Sequence, residues 1–183
     1  MSEILSLKNA AVVVTGSTGF IGSHLIDFLV GHGCTIHALV RETSDQRWLN
    51  KSDQVKVHVV DFAKSSPISC LEKADYLFHC AGLTKAKTRD DYFCGNVFSC
   101  EVLYERCVAI GSNLKAIVHL SSLAAAGPNV QGEAAQEKDP CKPVTYYGES
   151  KLAGERIALK YSSLLPIVII RPPVVYGPRE ENF

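Results

Sequence analysis

A glycine-rich turn at residues 15–22 constrains the fold of this chain more than any other segment. The turn, Thr15-Gly16-Ser17-Thr18-Gly19-Phe20-Ile21-Gly22, has the spacing GxxGxxG, follows a short apolar run rich in valine and precedes an amphipathic segment. That context predicts a buried strand, a tight turn and a helix. Glycines let the backbone approach a pyrophosphate, and the helix N-terminus offers free N–H groups and a positive dipole. The pattern therefore favours nucleotide binding over a merely structural turn.

Length and composition favour a single ordinary globular domain. The chain has 183 residues, with 19 lysines and arginines balanced by 19 aspartates and glutamates. This balance gives no indication of nucleic acid or of an anionic membrane as a partner. No secretory signal and no apolar run of membrane-spanning length is visible. The seven cysteines form no CxxC pair and no Cys/His metal spacing, so we expect reduced thiols, no metal site and a cytoplasmic location.

Apolar β-rich segments alternate with helical patterns along the chain. Strands are predicted at residues 10–15, 34–40, 55–60, 75–80, 114–120 and 165–171, and the clearest helices at about 19–31, 88–110 and 145–162. Repeated strand–helix–strand units predict right-handed crossovers and a Rossmann-type, doubly wound parallel α/β sheet over residues 1–183. A long irregular stretch at residues 127–143 is expected to be a functional loop.

The end of the second predicted strand bears on the choice of cofactor. Ligands of an open parallel sheet gather beyond the carboxyl ends of its strands. Arg41 lies there, 19 residues after Gly22, where an acid would bind the ribose of NAD and an arginine suits the 2′-phosphate of NADP. Glu42 is adjacent, so a shift of one residue would reverse the argument. We expect NADP(H), with NAD(H) as the alternative.

The third and fourth strands end in residues of less specific character. Asp61 and Phe62 follow the third strand, where they flank an adenine or close an ordinary turn. The fourth strand ends in His79-Cys80-Ala81-Gly82, whose small residues would let a cofactor pass close to the backbone. His79 itself is expected to be a packed histidine rather than a ligand.

Tyr147 and Lys151 are four residues apart, and on a helix they share one face. A free tyrosine titrates near 10, too high for acid–base work at neutral pH. An ammonium about 4 Å away would favour the phenolate by about 4 kcal/mol at an effective dielectric of about 20. A serine nearby, Ser121 or Ser122 after the fifth strand, would hold the substrate oxygen while Tyr147 moves its proton.

Together these segments resemble the extended short-chain dehydrogenase/reductase family, which includes nucleotide-sugar epimerases and dehydratases and dihydroflavonol-reductase-like enzymes. The resemblance covers nearly the whole chain. It rests on the glycine turn, the strand end at Asp61, the segment His79-x-Ala81-Gly82, Asn96, the pair Ser121-Ser122, Tyr147-x-x-x-Lys151 and the run Arg171-Pro172-Pro173-Val174-Val175-Tyr176-Gly177-Pro178.

The resemblance implies a role for each motif. Ser122 would bind the substrate oxygen, Tyr147 would be the catalytic acid–base, and Lys151 would lower its pKa and hold the nicotinamide ribose. The cofactor-binding set implied by the motifs is Gly16, Thr18, Gly19, Phe20, Ile21, Gly22, Arg41, Asp61, Phe62, Ala81, Gly82, Asn96, Tyr147, Lys151, Pro172, Val174 and Val175. The activity implied is hydride transfer at a carbonyl or hydroxyl carbon of a small molecule, with epimerase or dehydratase chemistry and a non-catalytic dinucleotide sensor as alternatives.

Two further expectations follow from the resemblance. Members continue for roughly another hundred residues into a smaller substrate-binding domain, so this chain is expected to lack that domain and to show little or no turnover. Relatives also pair through the helix at about 88–110 and the helix that carries Tyr147. The apolar residues Phe93, Val97, Leu103, Tyr104, Cys107 and Val108 cover more of the first helix than one sheet-facing stripe needs, which makes a homodimer possible.

Overall fold

A computed structural model describes residues 7–63, 68–129 and 136–181 of the chain. Its centre is a sheet of six strands: β1 (Ala11–Thr15), β2 (Thr35–Val40), β3 (Val55–Val59), β4 (Tyr76–His79), β5 (Ala116–Leu120) and β6 (Ile167–Ile170). The strand order is β3-β2-β1-β4-β5-β6, and every neighbouring pair is parallel. The order reverses between β1 and β4, as in a doubly wound Rossmann-type fold. The predicted fold class is confirmed.

The helices lie where the sequence predicts them, with one difference. They are α1 (Phe20–Gly31), α2 (Arg89–Phe93), α3 (Ser99–Ala109) and α4 (Tyr146–Tyr161), and short 3₁₀ turns cover Ser69–Lys73 and Leu123–Ala125. The single helix expected at 88–110 is two α-helices joined by a π-helical turn, Cys94–Phe98. Such a turn inserts one extra residue into the helix, a change too small for apolar periodicity to register.

Side chains from the two faces of the sheet form two apolar clusters. Along β1, Val12 and Val14 pack in the cluster that includes Ile26 of α1, whereas Val13 packs in the cluster that includes Leu103 of α3. Strands buried on both faces are apolar at every position rather than at alternate ones. This explains the unbroken valine run before the glycine turn.

The remaining sequence expectations concern the long loop, the thiols and membrane-spanning segments. Residues 127–129 and 136–143 of the expected functional loop are described, and the rest of that loop lies outside the described residues. All seven cysteines are free thiols, as expected. Within the described ranges, none of the helices has the length and apolarity needed to cross a membrane.

Candidate active site

The turn between β1 and α1 brings backbone unusually close to the end of β4. Gly16 has a φ of +65°, and a Cβ at this position would lie 2.7 Å from the backbone of Cys80 and Ala81. A Cβ on Gly22 would lie 2.2 Å from the Gly16 carbonyl oxygen. Both positions therefore exclude any side chain. Because glycine has no Cβ at these sites, a phosphate group can approach the backbone of the turn closely.

The N-terminus of α1 is open for an anion. Gly19 is the N-cap and offers no side chain to the first N–H groups, and the first turn carries no acidic residue. The helix dipole and these N–H groups consequently face the cleft without a competing carboxylate. The site is thus suited to the pyrophosphate of a dinucleotide.

A cavity of about 750 Å³ runs from this turn across the ends of β4, β5 and β6. Twelve of the sequence-predicted site residues line it: Gly16, Gly19, Phe20, Ile21, Gly22, Gly82, Ser122, Tyr147, Lys151, Pro172, Val174 and Val175. A volume of this size lies within the range of cofactor and small-molecule sites. These twelve residues thus lie around one cavity, and their roles in binding and catalysis stay predictions.

Ser122, Tyr147 and Lys151 meet at one end of the cavity. The side chains of Ser122 and Tyr147 share a hydrogen bond. Lys151 is 6 % exposed, and its Nζ donates a 2.7 Å hydrogen bond to the carbonyl oxygen of Leu120, the last residue of β5. Helix α4, which carries Tyr147 and Lys151, is capped at its N-terminus by Thr145, whose hydroxyl accepts a hydrogen bond from the Gly148 N–H. A serine, a tyrosine and a lysine so arranged can bind an oxygen and exchange a proton with it.

The expected lowering of the Tyr147 pKa is wrong in this structure. Burial raises the pKa of Tyr147, and the hydrogen bond from Ser122 offsets this only in part. Burial also lowers the pKa of Lys151. The Lys151 ammonium donates its hydrogen bond to the Leu120 carbonyl oxygen. Spacing along a helix predicts that two residues share a face, but it does not predict where a long side chain points.

A buried ion pair fixes the elements around this triad. Glu155, one turn beyond Lys151 on α4, is 2 % exposed and forms a bidentate pair with Arg171, whose Nε and Nη2 lie 2.8 and 2.6 Å from its carboxylate oxygens. Ser121 also donates to Glu155. Burial alone would raise the pKa of Glu155, but the bonds from Arg171 and Ser121 outweigh it and hold the pKa below its usual value. The network joins α4 to the ends of β5 and β6.

A second buried network lies beneath the cavity. Thr15 accepts a hydrogen bond from the Ala81 N–H and pairs with Nδ1 of His79, whose Nε2 lies 3.2 Å from the Cys100 thiol. Burial holds the pKa of His79 well below its usual value. His79 is therefore a packed, neutral histidine, as expected.

A smaller cavity of about 260 Å³ lies at the other end of the glycine turn. Thr18 and Arg41 line it together with Trp48, Arg47 and Arg179. Two of its arginines form ion pairs: Arg47 pairs with Glu181, and Arg179 donates from Nη2 to Asp27. Glu42 is not among the lining residues, since β2 ends at Val40 and the next side chain, that of Arg41, enters the cavity.

Four predicted site residues line neither cavity. Asp61 is exposed and accepts a hydrogen bond from the Ala63 N–H, while Phe62 packs against the core. Ala81 contributes its N–H to Thr15. Asn96 is buried, and its amide is used within the protein: Oδ1 accepts from Leu83 N–H, and Nδ2 donates to Leu83 O and Ser150 Oγ. Its direct role in this structure is to hold the loop after β4.

Sequence reasoning missed several residues of the site. Thr84, Lys85, Leu123, Ala124 and Glu180 also line the larger cavity, as do Cys80, Ser121 and Pro173 from segments that the sequence analysis had singled out. Leu123 directly follows the predicted Ser122, so the strand end could have indicated it, whereas Thr84, Lys85, Ala124 and Glu180 adjoin no predicted residue. No sequence pattern predicts the pairing of Glu155 with Arg171, because Glu155 lies on α4 and Arg171 follows β6.

Comparisons with known proteins agree with this geometry. A sequence model of the NAD dependent epimerase/dehydratase family matches residues 12–183. The ceramide reductase of Caulobacter vibrioides is 32 % identical over 170 residues, covering 91 % of this chain and 47 % of the reductase. The UDP-glucose 4-epimerase of Vibrio cholerae is 30 % identical over 181 residues, covering 92 % of this chain and 52 % of the epimerase.

A solved structure extends the likeness to three dimensions. The UDP-glucuronic acid 4-epimerase of Bacillus cereus, in complex with NAD, superimposes with a TM-score of 0.81 at 26 % identity. The likeness covers 93 % of this chain and 58 % of the epimerase. The chain thus spans about half the length of the curated relatives that it matches.

Proposed function

Because this chain belongs to the NAD-dependent epimerase/dehydratase family, we propose that it is the cofactor-binding part of an enzyme that transfers a hydride at a carbonyl or hydroxyl carbon. The observation that carries the proposal is the convergence of Ser122, Tyr147 and Lys151 on a cavity that also reaches the open N-terminus of α1. One end of that cavity suits a pyrophosphate and the other suits proton transfer.

Each residue of the triad has a separate task in this proposal. The bound nicotinamide supplies or accepts the hydride. Ser122 donates a hydrogen bond to the reacting oxygen of the substrate, and Tyr147 exchanges a proton with it. Lys151 would anchor the ribose of the cofactor, and Pro172 and Val175 would line the nicotinamide. Every one of these groups already lines the same cavity.

We further propose that the cofactor is NADP(H). Arg41 enters the smaller cavity beside Thr18, whereas Glu42 lies outside its lining. Arg179 also lines this cavity, and its Nη1 is buried with no hydrogen-bond partner among the described residues. A 2′-phosphate would accept hydrogen bonds from such donors. A carboxylate that binds the free 2′-hydroxyl of NAD would have to come from a residue other than Glu42.

A titration of this chain with NADPH and with NADH, followed by nicotinamide fluorescence, tests both statements. We expect NADPH to bind at least tenfold more tightly, a difference of about 1.4 kcal/mol. Preference for NADH would overturn the assignment of Arg41 and leave the hydride-transfer proposal standing. Failure of both to bind would contradict dinucleotide binding by this chain.

The catalytic role of Tyr147 is tested by Tyr147→Phe in the longer protein. The variant is expected to bind cofactor as the parent does and to lose its reaction, because it keeps the ring and lacks the transferable proton. Tyr146→Phe is the matched control, since Tyr146 is exposed and lies outside the cavity lining. Unchanged activity in Tyr147→Phe would contradict a catalytic role and favour a dinucleotide sensor.

The second candidate is epimerase or dehydratase chemistry on a nucleotide sugar. It is favoured by the likeness to the epimerases of Vibrio cholerae and Bacillus cereus. In this case the oxidised cofactor would accept a hydride from the substrate and return it within one turnover. Cofactor that survives purification, with no net change in nicotinamide absorbance during turnover, would support this candidate over a net reductase.

We also propose that copies of the protein pair through α3 and α4. Leu103, Tyr104 and Cys107 of the expected apolar set belong to the core. Val108 is exposed on α3, and Leu159 is 60 % exposed on α4. Light scattering at tens of micromolar tests the pairing: a monomeric mass would contradict it.

A further inference from the structure

Three potential metal ligands meet at the β2–β3 edge of the sheet, away from the cleft. His37 lies on β2, His58 on β3 and Cys70 on the 3₁₀ turn before β4. One ring nitrogen of each histidine and the Cys70 Sγ all lie within 4.8 Å of one another. Nδ1 of His37 and Nε2 of His58 are 2.9 Å apart. We call these three residues the edge cluster.

The spacing of the two histidine nitrogens is close to that of a tetrahedral zinc site. Zn–N bonds of about 2.0–2.1 Å and Zn–S bonds of about 2.3 Å put two ligand nitrogens about 3.3 Å apart and a nitrogen and a sulfur about 3.6 Å apart. To admit an ion, the two nitrogens, now 2.9 Å apart, would separate by about 0.4 Å, and the Cys70 Sγ, which lies within 4.8 Å of both, would settle about 3.6 Å from each. All three ligands stand on strands or on a hydrogen-bonded turn, so the donor atoms are held in place by the fold.

The exposure of the ligands bears on access for a cation. Cys70 belongs to the apolar core and is 8 % exposed, and burial raises the pKa of its thiol to about 11, so binding of the ion has to displace the thiol proton. Both histidines are partly exposed, which leaves a path for the ion from solvent.

A second group of similar composition does not share these features. His79, Cys100 and His119 also lie within 4.8 Å of one another, but all three are at most 2 % exposed. His79 is bonded at both ring nitrogens, and the Cys100 thiol donates to the Asn96 carbonyl oxygen. The ammonium of Lys151 is near enough to lower the pKa of both histidines. That group is a buried hydrogen-bond network beneath Lys151, in which one atom, His119 Nε2, has no hydrogen-bond partner among the described residues.

We propose that the edge cluster binds one Zn²⁺ ion through His37, His58 and Cys70. Binding releases the thiol proton of Cys70, and the thiolate, the two imidazoles and a water molecule complete a tetrahedral site. The ion would tie the edge strand β3 to β2 and to the turn before β4. This inference is independent of the proposed enzymatic function. Cysteine and histidine motifs in the sequence gave no indication of the site, because its ligands are 21 and 12 residues apart.

Titration of the freshly reduced, metal-free chain with Co²⁺ tests the site, because Co²⁺ replaces Zn²⁺ and absorbs visible light. We expect one equivalent to produce a thiolate-to-metal band and the visible bands of tetrahedral Co²⁺, and Zn²⁺ to displace it. Zn²⁺ should also raise the Tm in a concentration-dependent manner. His58→Gln and Cys70→Ser should each weaken binding at least tenfold.

Two controls make the result specific. His32→Gln removes an exposed histidine outside the cluster and should leave the cobalt spectrum unchanged. Cys100→Ser alters the buried group and should also leave it unchanged. Absence of the bands in the wild-type chain, or their survival in His58→Gln, would overturn the proposal, as would their loss in Cys100→Ser alone. Far-ultraviolet circular dichroism of each metal-free variant verifies that it is folded.

Discussion

The cleft above the sheet is built differently at its two ends. At the end formed by α4, β5 and β6, Lys151 and Glu155 are nearly inaccessible, and each has a hydrogen-bond partner within the protein. At the end formed by the segment after β2, Arg41 and Arg47 lie on the surface beside a small open cavity. The first end is fixed before any ligand arrives, whereas the second presents charges to solvent.

The difference fits the two kinds of recognition that we propose for this cleft. Proton transfer requires donor and acceptor to be held within hydrogen-bond distance, and a buried network achieves this without ordering long side chains at the moment of binding. Discrimination of a phosphate requires only a favourable charge, and exposed arginines supply it at little cost in stability. Substitutions at the first end should therefore affect folding, and those at the second should affect ligand choice.

The largest effect is expected from Glu155→Gln. The change leaves Arg171 without its carboxylate, and breaking a buried pair costs about 3 kcal/mol, at the low end of the usual range because the Arg171 side chain is 26 % exposed. The corresponding fall in Tm is about 6–12 °C for a chain of this size. Glu101→Gln, which breaks the exposed pair with Lys160, should cost less than about 0.5 kcal/mol. Equal losses in the two variants would contradict the inference that the buried pair at the first end contributes more to stability than an exposed ion pair.

Gly16→Ala should be the next most severe. The added Cβ would be 2.7 Å from backbone atoms of Cys80 and Ala81, at a positive φ, so the turn must move. We expect a loss of stability of more than about 1 kcal/mol and a weakening of cofactor binding of at least about tenfold. Gly31→Ala is the matched control, because nothing lies within 4 Å of its Cβ position. Cofactor titration and thermal unfolding of both variants measure the difference.

The buried histidines predict acid sensitivity. Burial and the nearby Lys151 lower the pKa of His119 from 6.5 to about 4. Between these values the unfolded chain takes up the proton and the folded chain does not, so stability falls as the pH falls. The slope is about 1.4 kcal/mol per pH unit for one such group. His119→Gln should flatten the dependence of unfolding free energy on pH between 6.5 and 4, as measured by denaturant unfolding at a series of pH values.

Arg41→Gln should have the smallest effect and should act only on ligand choice. We expect the Tm to stay within about 1 °C because the side chain is exposed. NADPH should bind up to about tenfold more weakly, and NADH should bind as before. Added salt should reduce the difference between the two cofactors in the parent chain, since exposed charges are screened. An equal loss for both cofactors would place Arg41 at the pyrophosphate instead of the 2′-phosphate.

Local patterns in the sequence predicted the elements of the fold, and contacts between distant residues escaped them. The unbroken run Val12-Val13-Val14 and the glycine turn defined β1 and α1 to within one residue. The pairing of Glu155 with Arg171 and the meeting of His37 with His58 depend on how strands and helices are placed side by side. The direction of the Lys151 ammonium depends on the carbonyl of Leu120. The spacing of residues along the sequence does not predict these contacts.

The π-helical turn at Cys94–Phe98 has a consequence for the helix on either side of it. An extra residue rotates all later side chains by about 100° relative to an uninterrupted α-helix. This offset lets Arg89 of α2 pair with Glu149 of α4, while Leu103 and Cys107 of α3 face the core. Removing one residue from this turn would restore regular winding and turn one half of the helix away from its neighbours. The length of this segment is therefore as constrained as its composition.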